Sequence, residues 1–281
     1  MTLKASVSMT CLAVALGLGL TSAALAQAQP APSTDYKPSV GQQGKDVVWV
    51  PSPQALVDRM LDMAKATTSD FVIDLGSGDG RTVITAAKRG INALGIEYNP
   101  DMVALAQRNA AEAGVTDKAK FEKADLFESD FSKATVITMF LLPNINLRLR
   151  PKILDMKPGT RIVSNTFDMG EWQADDQVQA TTDCTSYCRA YFWIVPAKVD
   201  GGWRSGNTEI KLEQKFQQFT GTVTTGNVVA PISNGRLVGD TITFTAGSTE
   251  YTGKVNGDAI EGTARTNGTD AKWQASRVAK S

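Results

Sequence analysis

Histidine is absent from all 281 residues. No imidazole can serve as a general base, so any proton transfer falls to Asp, Glu, Tyr or water. Cysteine is scarce, with three in the chain. Cys184 and Cys188 stand close together in TDCTSYCRAYFW. A zinc site is the sharper alternative for the pair, but it wants four ligands and histidine is absent, and no carboxylates cluster at metal-ligand spacing, so no metal is expected. Two readings of the pair stay open, a disulfide closing a small loop and two free thiols in a strand. Charge of one sign is also lacking: 29 Lys and Arg balance 29 Asp and Glu, with no long basic run. That balance argues against a surface gripping nucleic acid or an anionic membrane through phosphates, and leaves small molecules or proteins as partners.

A membrane-length apolar run is missing too. CLAVALGLGL, which contains Cys11, is too short to span a bilayer. Lys4 precedes it, and Ala24, Leu25 and Ala26 offer small residues for cleavage, so residues 1–26 read as a secretory signal peptide. Cys11 lacks the context of a lipid-attachment site. The expectation is a periplasmic or secreted protein with no membrane span after cleavage. Residues 27–45, rich in Pro, Gln, Ser and Gly, read as a flexible leader.

From residue 46 to 204 strand-like and helix-like stretches alternate. A helix follows Ser52 as N-cap and Pro53 as first helical residue. Then come FVIDL and RTVITAAKR, ALGIEY and PDMVALAQRNAAEAG, AKFEKAD, ATVITMF, NINLRLRPKILDMK and TRIVSNTF. The apolar strands do not alternate with polar residues, as expected of a parallel sheet covered on both faces. The fold class is therefore α/β, a doubly wound Rossmann-like sheet. AYFWIVPAKVDGGWR reads as a closing hairpin turning at Asp200 and Gly201. Residues 205–281 are Thr-rich and β-prone, with Asn-Gly pairs at 234, 256 and 267 that favour tight hairpins. GRLVGDTI and GKVNGDAI form a weak repeat, and the segment reads as an all-β meander accessory module.

The chemistry concentrates in VIDLGSGDGRTVITAAKRG. Loops of this kind cradle a nucleotide diphosphate at a helix N-terminus, yet Asp74 and Asp79 would repel one. A nucleoside bearing an ammonium and a sulfonium instead of phosphate, such as S-adenosylmethionine, is attracted by them, and Gly76, Gly78 and Gly80 let the backbone approach it closely.

DLGSGDG resembles motif I of class I S-adenosylmethionine-dependent methyltransferases. Glu97 in GIEYNP and Asp125 in ADLF fall at the ends of the second and third strands. The resemblance implies that Glu97 accepts the ribose hydroxyls and Asp125 meets the adenine amino group. With VPSPQALVDRML and MFLLPNINLRLRPKILDMKPGTRIVSNTFDMGEW, the similarity narrows to lysine methyltransferases of the non-SET and ATP-synthase c-subunit type. It implies a seven-stranded sheet and S-adenosylmethionine held by Asp74, Gly76, Ser77, Gly78, Asp79, Gly80, Glu97, Tyr98, Asp125 and Leu126. A protein lysine is the implied methyl acceptor. WVPSP matches the segment closing over the cofactor's methionine end, making Trp49, Val50 and Pro51 pocket residues. Leu142, Pro143 and Asn144 occupy the loop of acceptor contacts. Where some relatives carry asparagine at the end of strand four, this chain has Thr138, so that role is not carried over. The D/N-P-P-Y loop of amino-group nucleic-acid methyltransferases is missing. The competing reading is a noncatalytic binding protein that keeps the fold.

Overall fold

A computed structural model describes residues 1–2 and 36–279. The predicted signal peptide and much of the leader lie outside the described residues. Among the described residues no helix is long and apolar enough to cross a membrane.

The first helix, α1 (Gln54–Met63), begins after Pro53, with no side-chain cap. Ser52 is therefore not the expected N-cap; its hydroxyl accepts a hydrogen bond from Asn165 Nδ2 at 3.0 Å. Then follow β1 (Phe71–Leu75), α2 (Arg81–Lys88), β2 (Asn92–Glu97), α3 (Pro100–Glu112), β3 (Ala119–Lys123), β4 (Val136–Met139), α4 (Pro143–Leu154), β5 (Arg161–Asn165), β6 (Asp176–Gln179) and β7 (Arg189–Ile194). At α3 the local signals work as read: Asn99 accepts from Asp101 N at 2.9 Å, Pro100 opens the helix and Gly114 follows at φ +68°.

These seven strands form one sheet in the order β3-β2-β1-β4-β5-β7-β6. β1 to β5 pair in parallel, and β7 runs antiparallel to β5. Strand alternation sorts the core into two layers. Val72, Val136 and Val163 join residues of α1, α2 and α3, such as Leu56, Val83 and Val103. Ile73, Leu75, Ile137 and Ile162 join α4 through Ile145, Leu149 and Ile153. Both faces are covered, which is why these strands carry no polar alternation. The doubly wound α/β expectation is met.

The expected hairpin around Asp200 and Gly201 does not form. β8 (Gly201–Ser205) leaves the sheet and joins β9 (Thr208–Lys215), β10 (Gln218–Thr225), β11 (Val228–Val238), β12 (Thr241–Ala246), β13 (Thr249–Asn256), β14 (Ala259–Thr266) and β15 (Thr269–Arg277). They close an antiparallel barrel, β10-β11-β12-β13-β14-β15-β8-β9. The two repeats are its β11–β12 and β13–β14 hairpins, turning at Gly239-Asp240 and Gly257-Asp258. Asn234-Gly235 is no hairpin: it lies inside β11, where the register shifts. Gly235 is needed there because a Cβ would sit 2.1 Å from the Phe219 carbonyl oxygen. The barrel has its own core, including Trp203, Ile242, Phe244 and Trp273.

Candidate active site

The carboxyl ends of β1, β2 and β4 converge on one cleft, where a doubly wound sheet places its ligand. Its floor is the loop after β1. Gly76 N and Ser77 N both donate to the Ile96 carbonyl, at 2.9 and 3.1 Å, which locks the loop to β2. Gly78 stands at φ +54°, and a Cβ there would lie 2.8 Å from Trp49 Nε1. The glycine thus lets the Trp49 indole, from the segment before α1, pack directly against the loop. That segment, Gln42 to Ser52, forms the opposite wall and is tied down by Gly41 N to Trp49 O and Trp49 N to Gln42 O, each 2.8 Å.

Glu97 is held by two backbone donors, Gly78 N to Oε2 at 3.0 Å and Asn99 N to Oε1 at 2.9 Å. A carboxylate fixed in this way keeps lone pairs for two hydroxyl donors in the cleft. Tyr98, half exposed, turns one ring face to Lys45 Nζ, 4.5 Å from its centroid.

The two loop aspartates differ sharply. Asp79 is neutralised by Arg81, whose Nε reaches Oδ1 at 3.0 Å while NH1 anchors to the Ser52 carbonyl at 2.8 Å. Asp74 is buried, and desolvation pushes its carboxyl up to about 7, with the Asp79 and Glu97 charges adding to the rise. Opposing them, Thr138 Oγ1 donates to Asp74 Oδ1 at 2.6 Å. The negative field expected of the pair thus comes from an Asp79 tempered by its ion pair and an Asp74 that ionises near neutrality, with Glu97 beside them. An incoming cation would favour its ionised form.

Trp49, Val50, Pro51, Asp74, Gly76, Ser77, Gly78, Asp79, Glu97, Tyr98, Leu126 and Leu142 all line the cleft. Four predicted residues stand elsewhere. Gly80 is the left-handed residue before α2, and its bare Cα lies against Ala106 and the Phe121 ring, where a Cβ would come within 2.8 Å. Asp125 ties off its own turn, accepting from Phe127 N at 2.9 Å, and forms an ion pair with Lys45. Pro143 and Asn144 open α4 and do not line the cleft.

Several lining residues had no sequence signal. Phe140, Phe167 and Tyr187 come from three separate loops, and Phe140 lies 6.1 Å from Phe167 and 5.2 Å from Tyr187 between ring centroids. Thr82, Met102 and Ile145 complete the walls from their helices. Cys184 and Cys188 are joined by a disulfide, which resolves the two readings of the pair. Among the described residues no group of three His, Cys, Asp or Glu could hold a metal.

A seven-stranded sheet with this glycine loop and a pinned acidic residue at the end of β2 defines a class I S-adenosylmethionine-dependent methyltransferase. Residues 74–176 match the ANTKMT methyltransferase domain. The protein-lysine N-methyltransferase of Saccharolobus islandicus (strain REY15A) is 45% identical over 136 residues, covering 47% of this chain and 84% of that relative. The ATP-synthase c-subunit lysine N-methyltransferase of Mus musculus is 34% identical over 128 residues, covering 45% of this chain, which spans about half (51%) of that relative's length. An RNA methyltransferase of Salinibacter ruber, solved with S-adenosyl-L-homocysteine, superposes with a TM-score of 0.50 at 46% identity, covering 53% of this chain and 96% of that one. The chain belongs to the ANTKMT-type methyltransferases and uses S-adenosylmethionine as its cofactor.

Proposed function

We propose that this methyltransferase acts on the ε-amine of a protein lysine, outside the cytoplasm, with the cofactor lying between the glycine loop and the Gln42–Ser52 segment. The observation that carries the cofactor placement is Glu97, pinned by Gly78 and Asn99 opposite Trp49. In this reading Glu97 takes the ribose hydroxyls, and Asp74 faces the cationic amino-acid end. When bound, S-adenosylmethionine supplies a methyl group on a sulfonium, open to displacement by any aligned nucleophile. The chain's own work is alignment and exclusion of water. Phe140, Leu141, Leu142 and Ile145 add apolar surface to the lining of the cleft. An amine entering it is pushed below its ordinary pKa of about 10.4, toward the neutral nucleophile.

The acceptor reading is supported by the relatives named for protein lysines, and by the balanced charge, which suits a nucleic acid poorly. The export reading is supported by the signal-like residues 1–26 and by the disulfide. Calorimetric titration with S-adenosylhomocysteine tests the site. Gly78→Val should abolish binding, and Glu97→Ala should weaken it about 10- to 100-fold, the effect of removing a charged acceptor of one or two hydrogen bonds. Unaltered affinity in both variants would move the cofactor elsewhere. Transfer of labelled methyl into a periplasmic extract, separated into protein, RNA and small molecules, tests the acceptor. Label in protein lysine is expected, and label confined to RNA would reject it.

A further inference from the structure

The loop between β6 and β7 carries the disulfide and Tyr187, and no motif accounts for it. Cys184 and Cys188 are four residues apart, so their bond closes a very small ring with Tyr187 inside it. Tyr187 stands at φ +56° and Asp183, just outside the ring, at φ +54°. A bulky residue in the left-handed region needs such a constraint to persist. The far end of the loop is fixed to the sheet, since Ala180 N donates to Cys188 O at 2.8 Å and Thr166 N to Arg189 O at 2.7 Å.

Tyr187 is 42% exposed, yet it lines the cleft, with its ring tilted at 59° to Phe140. On the other side Phe140 stacks on Phe167 at 22°. Phe140 follows β4 and Phe167 follows β5, both firmly held, so Tyr187 is the member of the trio placed by a covalent clasp. Three ring surfaces favour an alkyl chain ending in a cation or a desolvated amine over a phosphate or a carboxylate.

We propose that Tyr187 is a specificity-determining residue at the acceptor end of the cleft. Held by the Cys184–Cys188 disulfide, it completes with Phe140 and Phe167 an aromatic slot for an unbranched alkyl amine, and reduction of the disulfide opens that slot. This rests on the lysine reading above. Reduction breaks the Sγ–Sγ bond. A dithiol such as dithiothreitol supplies two electrons and two protons and closes to its own cyclic disulfide, leaving two thiols.

The test is calorimetric titration of hexylamine into the full chain saturated with S-adenosylhomocysteine. Oxidised wild type should bind it, while Tyr187→Ala and the dithiothreitol-reduced protein bind about tenfold or more weakly and Tyr187→Phe stays within about twofold. A cooperative urea unfolding transition should be shared by all four and reports an intact fold. Should Tyr187→Ala lose it, Tyr187→Leu and the reduced wild type carry the comparison. Equal hexylamine affinity in the oxidised, reduced and ring-deleted proteins overturns the proposal, as does an oxidised wild type that ignores hexylamine. Failure of the wild type to bind S-adenosylhomocysteine would instead sink the cofactor placement.

Discussion

Asp74 concentrates the electrostatics of the site in one buried carboxyl that ionises at about pH 7. A cation seated beside it stabilises the ionised form, so binding releases a proton. Affinity for S-adenosylmethionine should rise as pH goes from about 5 to about 7 and flatten above, where the carboxylate is already formed. Thr138→Val removes the hydroxyl that favours the carboxylate and should shift that plateau to higher pH, as calorimetry across pH would read. The stability effect has the opposite sign. The folded-state value lies above the unfolded one near 3.8, so the native state holds a proton the unfolded chain gives up. Stability contributed by this group is present below about pH 4 and is lost as pH rises to about 7. At ~1.4 kcal/mol per pKa unit, the cost is about 4 kcal/mol at neutral pH and above. Asp74→Asn should therefore raise the urea midpoint at about pH 8 and flatten its pH dependence. An unchanged midpoint would mean that Asp74 is ionised without strain.

At the scale of elements, glycines of like conformation carry unlike burdens. Gly80 and Gly114 both have positive φ, but a Cβ at Gly80 meets Ala106 and Phe121, whereas one at Gly114 meets open space. Gly114→Ala should cost about 1 kcal/mol, the strain of the left-handed region alone. Gly80→Ala adds overpacking and should cost about 2 to 4 kcal/mol, a gap that denaturant titration of the two variants resolves. Local pattern made α3 legible through Asn99, Pro100 and Gly114, and the strand run IDL before a glycine loop made the site legible through Glu97, one strand on. What stayed illegible depends on contacts between distant parts of the chain. Ser52 binds Asn165 instead of capping α1. Asp125 meets Lys45, 80 residues away, a residue that lines the cleft. Phe140, Phe167 and Tyr187 share no local spacing, and only the order of β4, β5, β7 and β6 brings them together.

On the scale of the whole chain, the barrel is joined unevenly. β14 and β15 share eight Cα pairs, whereas β15 meets β8 in two, Ser276↔Arg204 and Arg277↔Trp203. Arg277 reinforces that short junction. Its guanidinium donates to the Asp200 carbonyl at 2.7 Å and to the Lys198 carbonyl at 2.5 Å, lies 4.4 Å over the Trp203 ring, and pairs with Asp258. Arg277→Ala should lower barrel stability by about 2 to 3 kcal/mol, from lost charge-assisted hydrogen bonds and ring contact, and leave S-adenosylhomocysteine affinity unchanged. Amide exchange resolved by segment would check this, with Trp203 to Ser205 losing protection first.

The barrel's closing pair also imposes an order in time. β8 is made first and β15 last, and only their meeting completes the ring. Until Thr269–Arg277 has joined the fold, the chain carries two raw strand margins, on β8 and β14, each able to recruit a stray strand. A chain cut short of β15 would therefore have a folded methyltransferase sheet beside a half-made barrel prone to clumping.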